Sequence, residues 1–129
     1  MSESLRWVAT PEFPITLHPD AGDWWPRTVK AEVYGPLAVH RPLERSWSQT
    51  WAITDVRTGL GFVYVAGKAA ARGLVEAMAP HWPVGDADLA AYSAAAEAAF
   101  RGACAALGYR PRQVFGAQYI NPKDGSEWA

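Results

Sequence analysis

A short list of residues in this chain could do chemistry, and their spacing decides which chemistry. Gly59-Leu60-Gly61, with Gly67-Lys68 downstream, has the composition of a phosphate-gripping loop. Such a loop needs four residues between its glycines and a Ser or Thr after the lysine. Here five residues separate Gly61 from Gly67, and Ala69 follows Lys68. Tyr64 stands where a kinase glycine loop would carry its third glycine. The segment therefore reads as a turn followed by a strand. The three histidines, His18, His40 and His81, are not spaced from one another or from the single cysteine as zinc ligands are. Cys104 lies between Ala103 and Ala105, with Arg101 one turn away. A nucleophilic cysteine needs an electropositive, partly open setting and a base. Cys104 reads instead as a small buried hydrophobe. No Gly-x-Ser-x-Gly elbow is present. The carboxylate pairs Asp20 with Asp23 and Asp86 with Asp88 each sit beside a glycine, where turn and capping roles account for them. No catalytic residue, metal or cofactor is assigned on these grounds.

What remains is a surface. Lys30 and Tyr34 fall on the polar face of an alternating strand, and His40 is expected to point the same way from the next strand. Arg27, Arg41, Arg45 and Arg57 lie at strand ends and in loops, with Trp47 among them. Basic residues interleaved with aromatics can hold a nucleic-acid backbone and stack its bases. The same residue types are enriched at protein–protein hot spots. These eight residues are the candidate binding set.

The elements that must position them follow from punctuation and periodicity. Residues 1–27 hold Pro11, Pro14, Pro19, Gly22 and Pro26, which predict an irregular lead-in with short strands around Leu5–Ala9 and Ile15–His18. Trp24 and Trp25 end it as an apolar clasp. Residues 28–66 read as β-structure. Val29, Ala31 and Val33 alternate with Thr28, Lys30, Glu32 and Tyr34, which predicts a strand with one buried face. Leu37–Arg41, Gln49–Val56 and Leu60–Ala66 follow as strands, the last two as a hairpin around Arg57-Thr58-Gly59. Residues 67–108 read as two helices. The first spans Lys68–Ala79. The second begins near Asp86, carries an apolar stripe from Leu89 through Tyr92, Ala96, Ala99, Phe100 and Ala103 to Leu107, and stops at Gly108. Glu97 and Arg101 form an i,i+4 pair on it. The tail, 109–129, adds one strand over Gln113–Ile120. Strands followed by helices predict an α+β domain, an antiparallel sheet of about four strands with two C-terminal helices on one face.

The chain has 129 residues, half of them hydrophobic, and a formal net charge of −1. That is too apolar and too neutral for a disordered chain, and it provides no global attraction to nucleic acid or anionic membrane. No apolar run is long enough to span a membrane. One domain accounts for the length. By segment the charge is uneven: −3 over 1–26, +4 over 27–72, −4 over 73–100 and +2 over 101–129. One cysteine and no signal-peptide pattern at the start suggest a cytoplasmic protein. The segment Trp51–Met78 resembles small accessory proteins carried by phages and other mobile elements, without a defined family motif.

The expectation is a non-catalytic binding module, of accessory or inhibitor type, whose partner is another protein or a second copy of the chain. The alternative is a nucleic-acid-binding protein using the basic sheet region. A third reading is a small-ligand protein or enzyme with a pocket between sheet and helices, in which His40, Tyr34 and Arg41 would act.

Overall fold

The computed structural model describes residues 5–15, 27–41, 50–58, 61–83, 88–114 and 117–122. The strands are β1 (Trp7–Ile15), β2 (Arg27–Tyr34), β3 (Leu37–His40), β4 (Thr50–Asp55) and β5 (Gly61–Ala66). Then come helix α1 (Lys68–Met78), a 3-10 turn (Ala79–His81), helix α2 (Leu89–Leu107), and strands β6 (Arg112–Val114) and β7 (Ala117–Ile120). The architecture is α+β, with both helices after the first five strands. Among the described residues the sheet has seven strands in the order β1-β2-β3-β4-β5-β7-β6. It is larger than the expected four and mixed, because β7 pairs parallel to β5 while the other neighbours are antiparallel. Two departures explain the excess. The proline-rich lead-in forms a nine-residue strand, tolerated because β1 is an edge strand whose register shifts between Thr10 and Phe13. The tail folds back on itself as the β6–β7 hairpin instead of running as one strand. A connection through two helices is long enough to bring β7 parallel to β5.

Gly35 and Pro36 set the register of the sheet's first half. Gly35 takes φ +57°, and Tyr34 pairs directly with Leu37 across this two-residue turn. Leu37 and Val39 therefore share a face with Tyr34 and Glu32, while Ala38 and His40 share the opposite face with Val33 and Ala31. This corrects the expected placement of His40, which lies across the sheet from Lys30 and Tyr34. The helices cover the Tyr34 face. Leu37, Val39, Ile53, Val63, Val65 and Ile120 from the strands pack there against Leu74, Val75 and Met78 of α1 and Phe100 and Cys104 of α2. The other face carries a second, smaller cluster of Phe13, Ala31 and Ala38. So β2 is used on both faces, and its alternation marks which core each side chain joins.

The helices obey their end signals with one shift. Asp88, not Asp86, is the N-cap residue of α2, and its carboxylate accepts from the Ala91 amide at 3.0 Å. Asp86 lies outside the described residues. Gly108 closes α2 in the left-handed region at φ 75°. Tyr92, Ala99, Phe100 and Ala103 of the stripe are buried and Ala96 is half-buried, but Leu107 is 40% exposed. A band of cations and rings fastens α1 to the first strands. Arg72 sits 4.5 Å from the Trp7 ring centre, Lys68 sits 5.2 Å from that of Trp51, and Glu32 faces Lys68 at 3.3 Å and Arg72 at 3.9 Å. The Trp7 indole N–H donates to Glu76 at 2.9 Å. Two of the seven bases of the 27–72 segment thus belong to a helix, and the charge pattern does not divide strands from helices.

Candidate functional site

Asp55, the last residue of β4, is a carboxylate buried on the helix-covered face, only 4% exposed. Chain reversal after β4 supplies two of its hydrogen bonds. The Thr58 amide donates to Oδ2 at 3.0 Å and the Thr58 hydroxyl to the same oxygen at 2.7 Å, a side-chain-stabilised turn. The other two donors come from the helical half. The Trp82 indole N–H donates to Oδ1 at 2.9 Å and the Tyr92 hydroxyl at 2.5 Å. Trp82 is placed by the 3-10 turn after α1, and Tyr92 by the first turn of α2. One carboxylate thus ties the β4–β5 turn, the interhelix corner and α2 together. Burial pushes the Asp55 carboxyl up, but the Tyr92, Thr58 and Trp82 donors outweigh it and hold the group below its ordinary value. Tyr92 moves the other way, its phenol raised by burial and by the hydrogen bond to Asp55. The Arg57 guanidinium lies 4.5 Å from the Tyr92 ring centre.

Beside this frame lies a cleft of about 500 Å³ between α2 and the β5–β7 region. Its inner surface is aromatic. Phe62 stacks on Trp82 with centroids 5.0 Å apart at 27°, and Phe100 meets Phe62 edge-on at 6.0 Å and 86°. Ala96 leaves the space open where a larger residue on α2 would fill it. The rim carries Ser93, Gln118 and Pro111, together with Glu97 and Arg101, which pair at 2.9 Å. That volume falls in the range of small-molecule and anchor-residue pockets.

The expected binding residues do not form one patch. Arg57 reaches the edge of this cleft region through Tyr92. Tyr34 is half-buried against Trp7, with ring centres 4.9 Å apart. Arg41 is exposed, its guanidinium 5.2 Å from the Trp51 ring centre. Lys30 is exposed on β2, and Arg27 is placed by its backbone at the start of that strand. Arg45 and Trp47 lie outside the described residues, as do Trp24, Trp25 and Trp128. His40 is buried on the far face. Its Nδ1 lies 2.8 Å from the Arg41 carbonyl, which can only accept, so Nδ1 carries the proton. The Thr54 hydroxyl then donates to Nε2 at 2.6 Å. With both ring nitrogens engaged and burial lowering its pKa, His40 serves as a neutral structural bridge between β3 and β4.

Cys104 is buried, and burial pushes its thiol up to about 11 against the weaker pull of Arg101. Among the described residues no three of His, Cys, Asp and Glu converge as a metal site. No described helix is long and apolar enough to cross a membrane.

Sequence reasoning missed Asp55. A signal existed: Asp followed three positions later by Thr, at the start of a recognised turn, is a turn-capping pattern. Nothing in spacing could have joined it to Trp82 and Tyr92, which are 27 and 37 residues away. Comparison with protein-family models, with curated proteins and with solved structures gives no match.

Proposed function

We propose that the chain is a non-catalytic binding module, with another protein as its partner and the cleft beside α2 as its working site. The observation that carries this reading is the saturation of Asp55. Each of its oxygens accepts two hydrogen bonds, so the carboxylate is committed to fixing the walls of the site rather than to moving protons. What the cleft offers an incoming group is aromatic surface on a rigid frame. Interfaces concentrate their energy where an anchor side chain fills such a pocket. An accessory or inhibitor-type protein acting in a reducing, cytoplasmic setting fits these features and the buried thiol of Cys104. Replacing Ala96 with Trp fills the cleft from α2. The wild-type protein is expected to hold a partner through affinity purification and size exclusion, and Ala96→Trp to release it with an unchanged melting temperature. A partner retained equally by both would place the working surface elsewhere.

A second reading, nucleic-acid binding, is favoured by one observation. Arg41 and Lys68 both lie over the Trp51 ring, and Arg72 lies over Trp7, which joins cations to rings along one flank. Titration of labelled single- and double-stranded DNA and RNA at two salt concentrations tests it. Absence of binding at low salt removes it.

A further inference from the structure

The cleft holds one polar side chain that the fold itself leaves unused. Among the described residues, the carboxylates that line it are already engaged: Asp55 by four donors and Glu97 by Arg101. Arg101 is held by Glu97, and Arg57 lies on the Tyr92 ring. A charged visitor would find its counter-ion already paired. Gln118 differs. It comes from β7 at the register position opposite Val63, it lines the cleft, and among the described residues its amide has no hydrogen-bond partner. A primary amide presents a donor and an acceptor side by side. Both are answered at once by the backbone N–H and C=O of a single residue in an extended chain, which point to the same side. Next to Gln118 are the rings of Phe62 and Phe100, which favour a ring seated by offset or edge-on contact.

We infer that the cleft takes an uncharged aromatic residue within a partner polypeptide, its ring lodged on Phe62 and its own backbone N–H and C=O paired with the Gln118 side chain. The inference rests on the cleft being the working site and adds the chemistry of the occupant. Size agrees: about 500 Å³ exceeds one indole and leaves room for its flanking backbone. The lining stretch of α2 from Tyr92 to Arg101 is about 14 Å long at 1.5 Å per residue, which matches about four residues of extended chain.

The test uses the full chain and four probes, followed by amide shift changes in NMR. They are the blocked pentapeptide acetyl-Gly-Gly-Trp-Gly-Gly-amide, the same peptide with Leu for Trp, N-acetyltryptophanamide and 3-methylindole. The Trp peptide is expected to shift the amides of Ala96, Phe100 and Gln118. It should bind at least fivefold more tightly than 3-methylindole, with the Leu peptide weaker by about tenfold. N-acetyltryptophanamide, which carries the same ring and backbone groups, should bind about as tightly as the peptide; a free aromatic amide that binds about tenfold more tightly than the peptide would overturn the polypeptide assignment. Gln118→Leu should bring the Trp peptide down to the level of 3-methylindole and leave 3-methylindole unchanged. Ala96→Trp should abolish both, and Ser93→Trp on the exposed rim replaces it if the first variant melts early. If Gln118→Leu changes nothing while Ala96→Trp still blocks, the amide pairing is wrong and the cleft reading survives. If no aromatic probe moves the cleft residues, both fall.

Discussion

Asp55 and His40 illustrate two outcomes for a buried polar side chain. Asp55 stays ionised because four donors surround it, and Asp55→Asn would turn an N–H2 toward donors. The expected cost is about 2–3 kcal/mol, read from urea unfolding at neutral pH. Linkage fixes the sign of the pH effect. A carboxyl held below its unfolded value of 3.8 contributes stability that is fully present above that value and lost as pH falls through the folded one. His40 is lowered from 6.5, so its neutral form is the folded one. Its contribution is fully present above pH 6.5 and declines as pH falls below it. Wild-type stability should therefore slope downward from about pH 6.5 to pH 5, and His40→Gln should flatten that slope at a lower overall stability. A variant with the wild-type slope would contradict the assignment of the buried imidazole. Thr54→Val, which strands Nε2 without a donor, should cost about 1–3 kcal/mol.

At the scale of elements, the ends of α2 and the flank of α1 carry separable energies. Asp88→Ala removes the only side-chain cap described for α2 and should lower stability by about 1 kcal/mol, seen as a shift in the thermal midpoint. The band on α1 contains contacts of unequal worth. Glu32 and its partners Lys68 and Arg72 are between 31% and 42% exposed, so solvent screens them, and Glu32→Gln should cost less than about 1 kcal/mol. Trp7→Ala removes a half-buried ring, its hydrogen bond to Glu76 and its contact with Arg72, and should cost more, about 3 kcal/mol. A reversed order in denaturant melts would show that charge rather than packing holds β1 to the helix layer.

For the molecule as a whole, the decisive pairing is the parallel one between β5 and β7. Ile120 is fully buried in the main core, and Gln118 reaches the cleft only because β7 lies beside β5. A chain ending at Gly108 would lose the two strands beyond β5 and leave Val63 and Val65 open on that side. It is expected to lose its near-ultraviolet circular dichroism while keeping helical far-ultraviolet signal. Retention of both would mean that the first five strands and two helices fold alone.

Period-2 alternation in β2, the apolar hairpin of β4 and β5, the helical stripe on α2 and Gly108 are local signals, and each local element was legible from the residues that form it. So was the burial of Cys104. These are properties of short segments, where steric preference and hydrophobic spacing act over a few residues. The number of strands, the side of the sheet on which His40 falls and the site itself were not legible. His40 changed sides because a two-residue turn sets register, and a single step of register exchanges the faces. The cleft draws on β4, β5, α2 and β7 and on the corner at Trp82, brought together by a crossover that no spacing encodes. Asp55 became its centre only when tertiary packing delivered Trp82 and Tyr92 to a carboxylate that would otherwise be buried short of donors.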